Sequence, residues 1–296
     1  MWDILSIGFA ATLSGISLYY CKRGKDSVSG TTLVHPFVWM TIALNLWSLV
    51  LVLRTDFANL PAGWSSRLGY FAFTVLLTPF VSVLGAKRPG SRAWDWFVVL
   101  PMLLVLNWPA LASSWNFLAK SALDLEGPAV MGVIVVLVMI LGNYFGTIFT
   151  PLVLLLGSAL FLGLTEHSKS LPQFAFTGNG RFVISAALLS SLLMVPLISR
   201  KHQSDRAGYQ RVWLDFRDWF GILWTRRLMD RLNHTARQKK WPVQFGLDGI
   251  DWKEATEQGS PYLEEIDHAI RWLFRRFTDD RWIEYRLQDH PPNDSD

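Results

Sequence analysis

The sequence predicts an all-α multi-pass membrane bundle of about seven transmembrane helices, with the N-terminus outside and a small, mainly helical cytoplasmic domain at the C-terminus. Charged residues make up 18% of the 296 residues, whereas about 25% is usual in soluble domains. The charge is also uneven, since residues 1–199 carry 11 Lys/Arg and 7 Asp/Glu while residues 200–296 carry 17 of each. We therefore predict a transmembrane domain over 1–199, a cytoplasmic domain over 200–288 and a disordered tail over 289–296.

Seven apolar windows precede residue 200, each close to the roughly 20 residues that a helix needs to cross about 30 Å of hydrocarbon. The fifth and sixth windows are separated only by "GNYFGT". One helix over both would be about 55 Å long, which is too long for a single span. Gly142, Gly146 and Pro151 favour a tight hairpin instead. The windows are 2–20, 34–53, 68–85, 94–112, 128–146, 148–164 and 182–199.

Loop charges predict the orientation. The first window lacks a basic region ahead of it and an A-x-A cleavage site after it, so we expect a retained span rather than a signal peptide. The loops "CKRGK" and "AKRPGSR" and the segment "SRKHQSDR" after the last window are rich in Lys and Arg. The positive-inside rule places these segments in the cytoplasm. Seven spans satisfy that rule with the N-terminus outside.

The predicted span interiors carry no Asp, Glu, Lys, Arg or His. Intramembrane ionisable groups usually mark ion paths, so a proton-coupled carrier is disfavoured. The motifs H-E-x-x-H, G-x-S-x-G and Walker A are absent from the sequence. The single Cys21 excludes an intramolecular disulfide or a cysteine-based zinc site. We therefore expect a non-enzymatic protein without catalytic residues, cofactor or metal. A lipid-modifying enzyme would need paired acid/base groups, and only Asp95, Glu166 and His167 stand near span ends.

Polar residues within the spans are the next candidates for contacts. Asn45, Asn107 and Asn143 are typical of interhelical hydrogen bonds, which contribute roughly 0.6–2 kcal/mol each, and the alternative is that they line a small pore. Prolines can kink the spans, and "LNWPAL" (106–111) is the strongest candidate for a broken helix. These prolines are Pro79, Pro101, Pro109 and Pro196.

The segment "RVWLDFRDWFGILWTRRLMDRL" (211–232) predicts an amphipathic juxtamembrane helix with one aromatic face. It lies within 200–240, where 11 basic and 4 acidic residues give a net charge of +7. Two alternatives remain: a helix lying on anionic lipid headgroups, or the core of a soluble domain. The positive charge next to the last span narrowly favours lipid. The candidate residues are Trp213, Phe216, Trp219, Phe220, Trp224, Arg226, Arg227 and Arg231.

The distal part of the tail predicts one hairpin and one helix. Residues 239–252 alternate briefly between apolar and polar side chains, as in a strand or hairpin. Ser260 and Pro261 fit the N-cap and first position of a helix, in which Asp267 and Arg271 form a favourable i,i+4 pair. The final "HPPNDSD" is expected to be disordered.

These features favour a scaffold or accessory subunit of an assembly in the inner (plasma) membrane. The alternative is a channel or transporter subunit for an uncharged or weakly polar solute. Expected partners are the lipid bilayer, anionic lipid headgroups at the tail, and other membrane protein subunits. Nucleic acid is not expected, because residues 200–296 carry no net charge.

Overall fold

The computed structural model describes residues 2–55, 60–112, 122–172, 180–204, 206–252 and 262–287. These form helices and one short hairpin. The bounds are α1 Trp2–Val28, α2 Val34–Leu53, α3 Ala62–Val75, α4 Thr78–Leu84, α5 Ser91–Trp94, a π-helical segment Asp95–Val99, α6 Leu100–Ala112, α7 Gly127–Tyr144, α8 Thr150–Thr165, α9 Gly180–Ser204, α10 Gly208–Phe220, α11 Ile222–Lys239, β1 Val243–Phe245, β2 Ile250–Trp252, α12 Leu263–Phe274 and α13 Asp280–Leu287.

Six helical segments in the described ranges are long and apolar enough to cross a membrane. They coincide with six of the seven predicted windows, and α3–α4 and α5–α6 each form one of them. The remaining window corresponds to α8, whose 16 residues span only about 24 Å at 1.5 Å per residue. The membrane-helix segments are 3–22, 34–53, 62–84, 91–112, 127–144 and 180–199.

Two local predictions were wrong. The basic segment "CKRGK" is not a loop, because α1 continues through it to Val28. Pro109 does not break its helix, since α6 runs without interruption from Leu100 to Ala112. A proline removes one helical hydrogen bond, and packed neighbouring helices tolerate this loss inside a bundle. The departure from α geometry lies instead at the π-helical segment, upstream of the proline.

The hairpin predicted between the fifth and sixth windows is present. α7 ends at Tyr144 and α8 begins at Thr150. Gly146 adopts a φ of +87°, a left-handed conformation that glycine accepts without steric cost. Its amide donates to Thr150 Oγ1 at 2.9 Å, which closes the turn.

Hydrogen bonds between neighbouring helices tie the bundle together. Asn45 Nδ2 on α2 donates to Ser17 Oγ on α1, and its Oδ1 accepts from Ser14 Oγ, both at 3.0 Å. Asn107 Nδ2 on α6 donates to Thr74 Oγ1 on α3 at 2.8 Å. These two asparagines therefore lie between helices and bond across them.

The bundle has two ends with different partners. The loops at 28–34, 85–90 and 145–149 contact residues within 207–252 and 262–287, and we call this end the near face. At the other end, the far face, Arg181 Nη1 donates to the carbonyl oxygen of Arg54 at 3.4 Å, and Glu166 Oε1 accepts from the amide of Gly180. The far face thus joins the ends of α2 and α8 to the start of α9.

Residues 207–252 and 262–287 pack against one another on the near face, and we call them the C-terminal domain. The predicted hairpin is present as antiparallel strands that pair Val243 with Trp252 and Phe245 with Ile250. The predicted Asp267–Arg271 pair is present at 2.9 Å. Ser260, Pro261 and residues 290–296 lie outside the described ranges.

Candidate functional site

The aromatic face of α10 is buried in the C-terminal domain. Trp213 is 1% exposed, and Phe216 and Phe220 are fully buried. The Phe216 ring lies 4.5 Å from Phe274 and 5.2 Å from Phe277, measured between centroids. The sequence narrowly favoured contact of this face with lipid. Trp213, Phe216 and Phe220 lie instead in the core of the C-terminal domain. Their partners come from α12 and the turn after it, about sixty residues further along the chain.

Trp219 and Trp224 connect this aromatic core to the bundle. Trp219 packs edge-on against Phe149 in the 145–149 loop at 5.5 Å. Trp224 Nε1 donates to the carbonyl oxygen of Val83, near the end of α4, at 3.1 Å, and its ring lies 5.0 Å from Phe277. Both tryptophans thus fill the interface between the domain and the near face.

Gly221 divides the predicted single helix into α10 and α11. Its φ is +82°, and a Cβ atom there would lie 2.2 Å from Asn143 Nδ2. Asn143 Oδ1 accepts from the amide of Leu223 at 3.2 Å, so this span residue caps the start of α11. The sequence indicated Asn143 as an interhelical contact, but its partner in the C-terminal domain carried no sequence signal.

A buried ion-pair network lies where the last span enters the domain. Arg206 Nη1 contacts Asp218 at 2.8 Å and Asp215 at 3.3 Å. Arg217 contacts Asp218 at 2.8 Å, and Arg286 contacts Asp215 at 2.9 Å. Burial raises the pKa of Asp215, and the surrounding guanidinium groups oppose that rise. Paired charges of this kind are costly to separate, because the remaining partner is left buried and uncompensated.

Backbone hydrogen bonds add to this attachment. The amide of Thr32 donates to the carbonyl of Phe277 at 2.8 Å, and the amide of Arg88 donates to the carbonyl of Arg276 at 2.7 Å. The amide of Asp279 donates to the carbonyl of Gly30 at 3.0 Å. The domain is therefore bonded directly to two bundle loops, in addition to the contacts of the 145–149 loop.

The predicted arginines of α11 are exposed. They are Arg226, Arg227 and Arg231. Arg227 lies over the Trp224 ring at 4.8 Å, and Lys87 approaches the same ring at 5.9 Å. Partial burial lowers the pKa of Lys87, and the positive fields of nearby arginines on α11 and after α12 lower it further. We call Lys87, Arg227, Arg231 and Arg276 the cationic cluster.

Asp95 has two partners at the near end of the bundle. Its Oδ2 lies 2.9 Å from His35 Nδ1, and its Oδ1 accepts from Ser82 Oγ at 3.0 Å. The sequence left Asp95 isolated, because His35 and Ser82 lie on other helices. The three residues tie α2, α4 and the π-helical segment together.

Charged side chains also meet at the far face. Burial lowers the pKa of Arg54, and Arg181 lowers it further, while Glu166 raises it. His167 is 5% exposed and packs edge-on against Tyr70 at 5.4 Å. Burial, reinforced by Arg54, lowers the pKa of His167 to about 3, so the imidazole is neutral at pH 7.

The described part of the chain contains no group of three or more His, Cys, Asp or Glu side chains placed to hold a metal ion. Its geometry defines an all-α bundle with membrane-length helices and an attached C-terminal domain. No family model, curated protein or solved structure matches this chain. The proposed function therefore rests on the contacts within the molecule.

Proposed function

We propose that the chain is a non-enzymatic multi-pass protein of the inner membrane that acts as a scaffold or accessory subunit of a membrane assembly. The observation that carries this proposal is the attachment of the C-terminal domain to the near face. Hydrogen bonds from Thr32, Arg88 and Asp279 and the buried ion pairs of Asp218 fix the domain against the bundle. A domain held in this way presents its outer surface to a partner in a fixed position.

Seven spans with the N-terminus outside and the domain in the cytoplasm account best for the contacts. The loop before α8 meets the domain through Ile148, whose amide donates to Asp218 Oδ1 at 3.3 Å. Just after α8, Glu166 bonds the start of α9 at the far face. Although α8 is short, it therefore runs from the near face to the far face, as the longer helices do. The near face carries the basic end of α1 and the basic 85–90 loop, and the positive-inside rule assigns such segments to the cytoplasm.

The open groove between α11 and α12 is the surface that we assign to the partner subunit. Trp272 is 43% exposed in it, with the Arg275 guanidinium 5.1 Å from the ring centroid. Arg231, Arg237 and His268 also line it, together with the carboxylate of Asp230. Tryptophan and arginine are enriched at the energetic centres of protein interfaces. The chemistry of the groove suits an acidic segment that carries an apolar anchor.

Site-specific photo-crosslinking in cells tests the scaffold role. We expect a photoreactive residue at Trp272 to crosslink one defined subunit, and the pair Arg237→Glu and His268→Glu to abolish that product. Tyr285, an equally exposed aromatic on α13, is the matched control position. Equal crosslinking from both positions, or a chain that purifies alone and uncrosslinked from mild detergent, would contradict the proposal.

The channel alternative rests on two buried amide atoms. Asn107 Oδ1 and Asn143 Nδ2 have no hydrogen-bond partner among the described residues, and such atoms can line a polar path. With the predicted span interiors free of ionisable groups, flux through such a path would show no steep dependence on proton gradient or voltage. Reconstituted vesicles decide between the roles: a channel shows solute flux that Asn107→Leu abolishes, whereas a scaffold shows none.

A further inference from the structure

The cationic cluster concentrates positive charge at one place on the near face. Lys87 belongs to the loop after α4, Arg227 and Arg231 to α11, and Arg276 to the turn after α12. The hydrogen bond from the Arg88 amide to the Arg276 carbonyl, at 2.7 Å, holds the first and last of these segments together. None of the ion pairs found among the described residues includes any of the four cations. The fold therefore assembles like charges that repel one another, and Asp230, which lines the same groove as Arg231, forms no ion pair with them among the described residues.

The depth of the cluster relative to the spans points to its ligand. Trp224, whose ring contacts both Lys87 and Arg227, donates to the carbonyl oxygen of Val83, the penultimate residue of α4. Lys87 follows the end of that membrane-length helix, Leu84, by three residues. In the proposed membrane arrangement, Lys87 therefore lies just beyond the apolar helix, in the headgroup region. Tryptophan itself is enriched at this interfacial depth.

We propose that the cationic cluster binds the phosphate of an anionic phospholipid headgroup in the leaflet that the near face meets. Arg227 and Arg231 supply forked guanidinium donors for phosphate oxygens, Lys87 supplies an ammonium group, and Trp224 forms an apolar floor beneath two of the cations. This inference depends on the membrane location of the near face in the proposed function, but not on the scaffold role. Arg231 also lines the partner groove, whereas Lys87 and Arg227 do not, so variants of Lys87 and Arg227 separate failure of this inference from failure of the crosslinking experiment.

The test uses the full-length protein in detergent micelles doped with either phosphatidylglycerol or phosphatidylcholine. Native mass spectrometry counts the lipids retained. We expect retention of phosphatidylglycerol in preference to phosphatidylcholine. Lys87→Gln with Arg227→Gln should weaken phosphatidylglycerol binding by about tenfold to thirtyfold, since each basic residue near a lipid surface contributes about 1 kcal/mol. The single variant Lys87→Gln should weaken it by about fivefold.

A matched control removes the same charge elsewhere. Lys240→Gln with Arg281→Gln acts on exposed cations outside both the cluster and the partner groove, and should leave phosphatidylglycerol retention unchanged. Equal loss in both double variants would overturn the proposal, as would equal retention of the two lipids. Displacement of the lipid by an equimolar amount of inorganic phosphate would assign the site to free anions instead. Unchanged melting temperatures confirm that the variants are folded.

Discussion

Replacing Phe216 by alanine tests the assignment of the aromatic face to the core. The ring is fully buried, with neighbouring ring centroids at 4.5, 4.5 and 5.2 Å. Truncating a buried phenylalanine costs about 3–5 kcal/mol, and aromatic pairs contribute about 0.5–1.5 kcal/mol beyond their burial. We therefore expect a loss near the upper end, about 5 kcal/mol. For a domain of this size, such a loss lowers the melting temperature by about 20 °C or more.

Limited trypsin digestion of the full-length protein in detergent reports this loss directly. Arg217 and Arg286 are almost fully buried, so cleavage there requires the C-terminal domain to open. We expect Phe216→Ala to bring cleavage at both sites to lower temperature. Phe97→Ala is the control, because Phe97 is 80% exposed on the outside of a membrane-length segment, and should change stability by only about 0.5 kcal/mol. A Phe216→Ala protein that resists trypsin like the wild type but loses lipid binding would refute the core assignment.

Three further predictions address other parts of the molecule. His167 has a folded pKa of about 3 against 6.5 unfolded, so the stability of the protein should fall as the pH drops below 6.5. The expected loss at pH 4.5 is about 2.7 kcal/mol. An equal acid-induced fall in the melting temperature of His167→Gln would contradict this prediction. Gly221→Ala should lower thermal stability by at least about 2 kcal/mol, since its φ is +82° and its Cβ would overlap Asn143, whereas Gly142→Ala, with open space at its Cβ, should not. An impermeant maleimide should label Cys21 in opened vesicles only; labelling in intact cells would reverse the orientation.

The positions of the spans were predictable from sequence because hydrocarbon imposes a simple requirement. A helix that crosses the bilayer must be apolar for about 20 residues, and six of the seven predicted windows correspond to helices that meet this requirement. The exact ends were less predictable. α1 continues past its basic residues to Val28, since Lys and Arg are good helix formers and only the apolar part of the helix has to match the bilayer.

The contacts of the C-terminal tail could not be predicted from the local sequence pattern. An aromatic face next to a span has the same composition whether it meets lipid or protein. The deciding residues, Phe274 and Phe277, lie far along the chain, and no periodicity connects them to Phe216. The buried charges were equally hidden, because Asp215 and Asp218 resemble ordinary exposed aspartates until Arg206 and Arg286 are brought beside them.

The division at Gly221 explains why the segment 211–232 supported two interpretations. The residues before the glycine turn their rings into the core of the domain, and those after it expose Arg226, Arg227 and Arg231. In one continuous helix, the direction of the buried aromatic face would fix the direction of the exposed arginines. The φ of +82° at Gly221 breaks the helix, so α10 and α11 are oriented independently. α11 packs against α10, and Trp224 on α11 contacts Phe277 of the aromatic core at 5.0 Å. Loss of the core should therefore remove the ordered cationic cluster as well, even though none of its four charges has been changed.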